Sequence, residues 1–339
     1  MAQEKKNVVV IGGAGFIGSH VCDDLVKVAN VICIDNFTSG KPENIQHLLR
    51  LPNFEFINAD INEIVDLEQF AEVEKFDVKF HGVQEIYNLA VPTSPKNFED
   101  FIVETAITNA QGTINALNLA VKYRAKFMQF SSSVIYGTDH GMDDFVDETE
   151  YGVVDPLHQN AVYDEGKRFA ETITMAYRKK FNLDAKIIRI FRTYGPRMPL
   201  FEGHMIPDFI VSALDDQPLV LYGTQDFQTS LVYVDDVVSA VHKVMASSQA
   251  GPYNVGSPLK ITLTKVAEKI ISMTQSSSSI EYEKQLSFMR ELALPDITKI
   301  KNEIDWFPVV TLEKGLQKTI EYTQAHKILV NWSQVQRIK

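Results

Sequence analysis

The stretch NVVVIGGAGFIG, Asn7 to Gly18, decides the fold. Val8, Val9, Val10 and Ile11 form an uninterrupted apolar run of β-formers, the composition of a strand covered on both faces in a parallel sheet. Three glycines punctuate the turn, and an apolar helix resumes from Phe16. Gly12 permits a sharp bend, Gly15 lets backbone amides approach a pyrophosphate with no Cβ between them, and Gly18 lets the helix pack close to the sheet. The N–H groups opening that helix add partial positive charge for phosphate oxygens. A glycine turn alone is a weak signal, because ordinary turns also collect glycine. Here a second apolar run, Val31 to Ile34, ends at Asp35, about twenty residues on, where a dinucleotide fingerprint requires an acid. A carboxylate there accepts from both hydroxyls of an adenine ribose and repels a 2′-phosphate, so NAD is expected rather than NADP.

Outward from this unit the chain keeps alternating. Phe54 to Ile57 reads as a third strand ending at Asp60, at a loop end that commonly lies beside the adenine, with a plain turn aspartate the alternative. Glu63 to Lys75 has helical character, and EIYNLA, Glu85 to Ala90, is a fourth strand. From Phe101 to Tyr123, Ile102, Ala106, Ala110, Ile114, Leu117 and Val121 recur at helical spacing, interrupted by Asn109 and Gly112. Lys126 to Phe130 is a fifth strand that delivers Ser131, Ser132 and Ser133 to the carboxyl edge, where open α/β sheets bind ligands. A helix carrying Tyr163 leads to a sixth strand, Asn182 to Phe191, and beyond Pro196 the alternation weakens. The expected fold is α/β, with a Rossmann-type doubly wound parallel sheet from 1–195 and about 231–257. A smaller C-terminal substrate lobe is expected from about 196–230 and 258–325.

Composition excludes several other classes. A net charge of −11 weighs against nucleic-acid binding, which needs a basic face. Cys22 and Cys33 are the only cysteines, one in the first helix and one in the second strand, and suggest neither a disulfide scaffold nor a metal site. The N-terminal MAQEKK is polar, and no apolar run approaches about 18 residues, so neither a signal peptide nor a membrane span is expected. The expected protein is cytoplasmic, with no membrane partner.

Tyr163 and Lys167 stand four apart in YDEGK, at the head of a helical run, so their side chains share a face. A free tyrosine has a pKa near ~10 and is a poor base at neutral pH, but a nearby ammonium and a positive nicotinamide ring favour the phenolate. Tyr163 can then take a proton from a substrate hydroxyl while hydride leaves the same carbon for NAD, with Ser132 holding the hydroxyl in place. A Tyr-x-x-x-Lys pair on its own is common on exposed helices. Downstream of a dinucleotide fingerprint and a serine-tipped strand it becomes a site.

Taken together, GGAGFIG, SSSVIYG, YDEGK and RIFRTYGPRM resemble the extended short-chain dehydrogenase/reductase family, which includes nucleotide-sugar epimerases, dehydratases and decarboxylases. The resemblance spans almost the whole chain, including YVDDV at 233 to 237 and PDITKIKNEIDWFP at 295 to 308. Within the family it is strongest to the branch that decarboxylates UDP-glucuronate, through AVPTSP, YDEGKRFAET and TYGPRM. It implies a tightly held NAD that oxidises a sugar at C4 and is regenerated, and a homodimer through paired helices. Ser132, Tyr163 and Lys167 fall on the catalytic positions, and Gly12, Gly15, Gly18, Asp35, Asp60, Ala90 and Asn109 on or near cofactor positions. Phe16, Ile17, Asn36, Ile61, Leu89 and Ser131 join the cofactor set, with Tyr163 and Lys167 shared. Ser132, Ser133, Arg192, Arg197 and Tyr222 are assigned to a nucleotide-sugar substrate.

The departures bear on the reaction. Decarboxylases of the family usually carry a glutamate two residues after the catalytic threonine or serine, and dehydratases an Asp-Glu pair; here Ser133 and Val134 occupy those positions. An arginine expected ahead of YVDDV is replaced by Thr229, and the approach to PDI is LAL at 292 to 294. What survives suffices for a 4-epimerase-type reaction, which needs only NAD, Ser132, Tyr163 and Lys167. A UDP-glucuronate decarboxylase lacking the usual glutamate is the alternative. An NAD-binding regulatory protein is a third reading, disfavoured by retention of all three catalytic residues.

Overall fold

The computed structural model describes residues 5–93, 99–137, 145–158, 160–284 and 292–337, with side chains to 327. The Ser94–Pro95 end of AVPTSP lies outside them. Seven parallel strands form the main sheet: β1 (Asn7–Ile11), β2 (Asn30–Asp35), β3 (Phe54–Asn58), β4 (Glu85–Asn88), β5 (Lys126–Ser132), β6 (Ala185–Ile190) and β7 (Tyr253–Val255), in the order β7-β6-β5-β4-β1-β2-β3. The order reverses beside β1, between β4 and β2, so their carboxyl ends diverge and leave a crevice there.

The apolar run of β1 is divided by the pleat. Val8 and Val10 enter one apolar cluster, and Val9 and Ile11 a second on the opposite face, each fully buried or nearly so. α1 (Phe16–Leu25) covers the first face through Val21, Cys22 and Leu25. The second face is covered by a long helix that begins at α2 (Ile102–Ile107), widens into a π-turn at Thr108–Gly112, and continues as α3 (Thr113–Tyr123). The two residues that break its apolar rhythm, Asn109 and Gly112, sit in the π-turn. α4 (Ala161–Phe181) packs beside α3 and leads into β6.

Two expectations are corrected, and one strand of the main sheet carried no sequence signal. Glu63 to Lys75 is not one helix: two short 3₁₀ turns, Leu67–Gln69 and Ala71–Phe76, are capped by Asp66 and Asp77. The second contains no apolar face long enough to sustain an α-helix. The seventh strand, β7, is only three residues long and escaped periodicity. Residues 297–306, expected in the C-terminal lobe, instead pack on the sheet: Ile297, Ile300, Ile304 and Trp306 join the cluster of Val8 and Val10, and Trp306 Nε1 donates to the Asp236 carbonyl at 3.1 Å.

The second half of the chain builds a further apolar cluster, in which Ile206, Phe209 and Ile210 of α5 (Met205–Leu214) meet Leu219, Leu221 and Phe227. Leu263, Val266 and Ile270 of α7 (Leu263–Thr274) complete it with Leu316. Between them, α6 (Val234–Ala246) returns to the main sheet through Val237, Val241 and Val244. Among the described residues no helix is long and apolar enough to cross a membrane.

Candidate active site

The diverging strand ends open into a groove of about 340 Å³. Its floor is the glycine turn. Gly12 takes φ +79°, its amide donates to the Ile34 carbonyl at 2.8 Å, and a Cβ there would stand 2.8 Å from the Ala90 nitrogen. Gly15 caps α1 with its amide on the Gly12 carbonyl at 3.2 Å, and Phe16, Ile17 and Gly18 open the helix facing the groove, where first-turn amides have no partner within the helix. Gly18 is the tightest point, since a Cβ would lie 2.2 Å from the Gly12 carbonyl oxygen.

Asp35 and Asn36 line the adjoining wall, with Asp60 and Ile61 beyond. The Asp35 carboxylate accepts from the Ala14 amide at 2.9 Å and the Phe37 amide at 2.8 Å. Burial raises its pKa, and the backbone bonds oppose that rise. A Cβ at Gly40 would fall 2.8 Å from the carboxylate, so the following loop leaves room above Asp35 only because residue 40 is glycine. The Asp60–Asn62 loop is held by the π-turn helix: Asn62 Nδ2 donates to Thr108 Oγ1 at 3.1 Å, and Asn115 Nδ2 to the Ile61 carbonyl at 2.8 Å.

Leu89 and Ala90 follow β4, and Ser131, Ser132 and Ser133 follow β5 into the same groove. α4 begins at Ala161, two residues ahead of Tyr163, so Tyr163 and Lys167 both stand in its first two turns and face the serines. Lys167 Nζ lies 5.7 Å from the Tyr163 ring centroid and donates to the Phe130 carbonyl at 2.9 Å. Its side chain is 4% exposed, and burial lowers its pKa to about 8, partly opposed by Glu171. The Ser132 hydroxyl accepts only a long 3.4 Å bond from the Val134 amide, and the buried Ser131 hydroxyl has no partner among the described residues.

Three sequence-assigned residues are not brought to this groove. Asn109 is 2% exposed, donates to the Thr105 carbonyl at 2.9 Å and packs against Gly166, where a Cβ would stand 2.8 Å from Asn109 Nδ2. It therefore seats α4 from behind, and Glu104 and Thr108 face the groove in its place. Arg197 takes φ +67° and pairs with Asp23 at 2.6 Å, away from the groove. Tyr222 ends a strand paired with Ile280–Glu283 and does not reach it. Arg192 does line the groove, with its guanidinium carbon 5.6 Å from the Phe227 ring centroid and Nη1 3.5 Å from Thr229 Oγ1. The cation on this wall thus comes from residue 192, and the buried Thr229 leans against it.

Glu104, Glu202 and His204 also line the groove and carried no sequence signal: Glu104 is the lone charged residue of α2, and Glu202 and His204 come from the irregular stretch ahead of α5. Glu202 pairs with Lys41 at 3.0 Å, joining the loop after β2 to the loop after Arg197. Burial lowers the His204 pKa to about 4, so this wall presents a neutral imidazole.

A helix N-terminus with a Cβ-free approach, an acid at the end of β2, and an orphaned serine hydroxyl at the end of β5 fit a dinucleotide along the sheet edge. With Tyr163 and Lys167 opposite, this is the site of an enzyme that oxidises and reduces a hydroxyl-bearing carbon using a bound dinucleotide. The "NAD dependent epimerase/dehydratase family" matches residues 8–256, and the chain belongs to it. NAD is its cofactor. It is 36% identical over 321 residues to UDP-glucuronic acid decarboxylase 1 of Arabidopsis thaliana, covering 94% of this chain and 70% of that one. UDP-glucose 4-epimerase of Thermotoga maritima, solved with UDP-glucose, superposes with a TM-score of 0.83 at 27% identity over 94% of this chain and 99% of that one. UDP-glucuronic acid 4-epimerase of Bacillus cereus, solved with UDP-glucuronic acid and NAD, gives 0.79 at 25% identity over 94% and 99%.

Three expectations follow from this geometry. Direct titration should show NAD binding at least tenfold more tightly than NADP, because the Asp35 carboxylate lines the groove at the end of β2 and would repel a 2′-phosphate placed there. Equal affinities would mean that Asp35 stays turned toward its own backbone amides. Lys167 loses its charge as pH rises through about 8, so kcat/KM should fall on the alkaline side with a midpoint near there. Stability should move the opposite way. Between about 8 and the ordinary 10.5 the unfolded chain binds the proton that the folded chain has released, so the destabilisation from Lys167 is relieved as pH rises. Comparing melting temperature against pH for the wild type and Lys167→Met checks that sign.

Proposed function

We propose that this enzyme interconverts nucleotide sugars epimeric at C4, oxidising the C4 hydroxyl and reducing the resulting ketone from the opposite face. The observation that carries the reading is the side-chain content of the groove around Tyr163. Ser132, Tyr163 and Lys167 are all present, whereas Val134 is 8% exposed and does not line it. NAD, when bound, supplies the two-electron acceptor and returns the pair. Ser132 holds the C4 oxygen, and Tyr163 Oη takes its proton on oxidation and gives it back on reduction. Lys167 keeps the Tyr163 oxygen anionic by its charge and fixes the helix to β5 through the Phe130 carbonyl. Arg192 supports the assignment of an anionic nucleotide diphosphate to the far wall, since a guanidinium is suited to bidentate phosphate contact.

Decarboxylation of UDP-glucuronate is the second reading, favoured by the relatives that share 36% of the sequence and carry that name. Oxidation at C4 makes a β-keto acid that loses carbon dioxide without a further catalytic group, so Val134 slows this reaction rather than forbidding it. The test is incubation with NAD and either a neutral UDP-hexose or UDP-glucuronate, with products read by NMR. Epimerised hexose is expected, at a rate at least tenfold above any release of carbon dioxide. A UDP-pentose from UDP-glucuronate, with no epimer from any neutral hexose, would establish the decarboxylase.

The working unit we infer is a homodimer. Val103 and Ile107 of α2 and Phe169 and Met175 of α4 are between 42% and 60% exposed on the two helices that pack together over the second face of the sheet. That apolar strip suits helix pairing between copies.

A further inference from the structure

The helix that carries Tyr163 and Lys167 runs on into a buried ion pair outside the groove. Glu171, one turn beyond Lys167, accepts two bonds from Arg189 of β6, at 3.0 Å from Nε and 2.8 Å from Nη2, and the two side chains are 13% and 9% exposed. Arg189 Nη1 also donates to Tyr136 Oη at 2.8 Å and to the Glu148 carbonyl at 3.2 Å. Tyr136 closes the short turn Ser133–Tyr136 that follows Ser132, and its hydroxyl donates to Asn254 Oδ1 of β7 at 2.7 Å. The pair therefore joins the helix bearing the base to the turn bearing the serine. A buried pair of this kind is weak evidence for stability, because well-packed apolar residues in its place are often neutral or better. Its position relative to the reacting groups calls for another account.

We propose that Glu171 and Arg189 are positioning residues of the reaction, a neutral buried pair that sets the charge balance at Tyr163 and Lys167 and holds their helix in register with the Ser132 turn. The role assigned to Tyr163 under the proposed function is the base on which this rests. With both charges present, Glu171 favours the Lys167 ammonium against the cost of its burial, and Arg189 prevents that carboxylate from disfavouring a Tyr163 phenolate. The other charged groups near the helix are arranged differently. Arg168 is held by the Ile135 and Tyr151 carbonyls at 2.9 and 2.7 Å and lies 3.7 Å from Glu165, while the Lys126 ammonium, at the far end of β5, reaches the Met245 carbonyl. Asp164 shares the first turn of the helix, Glu104 comes from α2, and the Glu148 side chain accepts from the Asn254 amide at 2.7 Å. Asp164 and Glu171 stand one helical turn before and after Lys167, and Glu171 is the one whose charge opposes the cost of burying that ammonium.

The test needs no sugar substrate. The titration of Tyr163 is read in the NAD-saturated protein as the tyrosinate absorbance of each variant minus that of the same variant carrying Tyr163→Phe. Glu171→Gln leaves the guanidinium unbalanced, and while Lys167 keeps its proton the added positive charge should move the midpoint down by about half a pH unit or more. Arg189→Met should move it up by a similar amount, and the double variant should return it to within about 0.2 unit of the wild type. A brace with only a structural role would change melting temperature without these opposed shifts. Single variants that melt like the wild type and leave the midpoint unmoved, or that both move it the same way, would overturn the proposal. If neither charge-removing variant folds, Glu171→Asp, which withdraws the carboxylate by one methylene, decides it: a smaller downward shift supports the proposal and an unmoved midpoint overturns it. Because turnover is not measured, an error in the assigned sugar chemistry leaves this outcome unaffected.

Discussion

Tyr163→Phe should reduce turnover on a confirmed nucleotide sugar at least a hundredfold, the usual contribution of a positioned acid–base group, while the NAD dissociation constant changes by no more than about threefold. The substitution keeps the ring of a residue that lines the groove with Ser132 and removes only its hydroxyl, so cofactor binding should survive and proton transfer should not. Single-turnover absorbance at the reduced nicotinamide, with NAD titration in parallel, separates the two effects. Lys167→Ala should lower turnover and also raise the NAD dissociation constant, because its ammonium ties the helix to the Phe130 carbonyl beside the groove. Wild-type turnover in the Tyr163→Phe protein would remove Tyr163 from the mechanism.

Gly18→Val should weaken NAD binding at least tenfold and lower the melting temperature by several degrees. The new Cβ would stand 2.2 Å from the Gly12 carbonyl oxygen and 2.9 Å from the Gly13 Cα, both backbone atoms of the turn, so relief requires α1 to move away from β1. Overpacking of this kind costs about 1–3 kcal/mol or more. The same displacement withdraws the amides of Phe16, Ile17 and Gly18 from the pyrophosphate. Calorimetric titration with NAD and a thermal melt measure both consequences. Unchanged affinity would show that the phosphates are held elsewhere, with Arg192 the first residue to examine.

Residues were legible in the sequence where a local pattern carried the physics. The β1 turn, Asp35, the serine tip of β5 and the Tyr163–Lys167 spacing are each defined within a few residues, and the structure brings all of them to one groove. The helix from residue 102 to 123 was legible as periodicity, but its π-turn was not. That extra width reconciles two contacts remote in sequence, Gly112 against the Asp60–Asn62 loop and Asn109 against Gly166 of α4. The irregular second half gave little warning that Ile300 and Trp306 pack on the sheet, because a seven-residue helix shows almost no periodicity.

The two arginines of RIFRTYGPRM mark the division most clearly. By itself the sequence determined the dinucleotide fold, NAD as its cofactor and the Tyr163–Lys167 pair that shares a helix face, because turn geometry, strand composition and helical spacing are short-range properties of the chain. It did not determine which cation lines the groove. Arg192 and Arg197 are equivalent in charge and five residues apart, yet one faces the groove over Phe227 while the other turns back at φ +67° to pair with Asp23 of α1. Only the tertiary structure decided that, since each guanidinium takes its place from partners more than thirty residues away that the fold alone brings within reach.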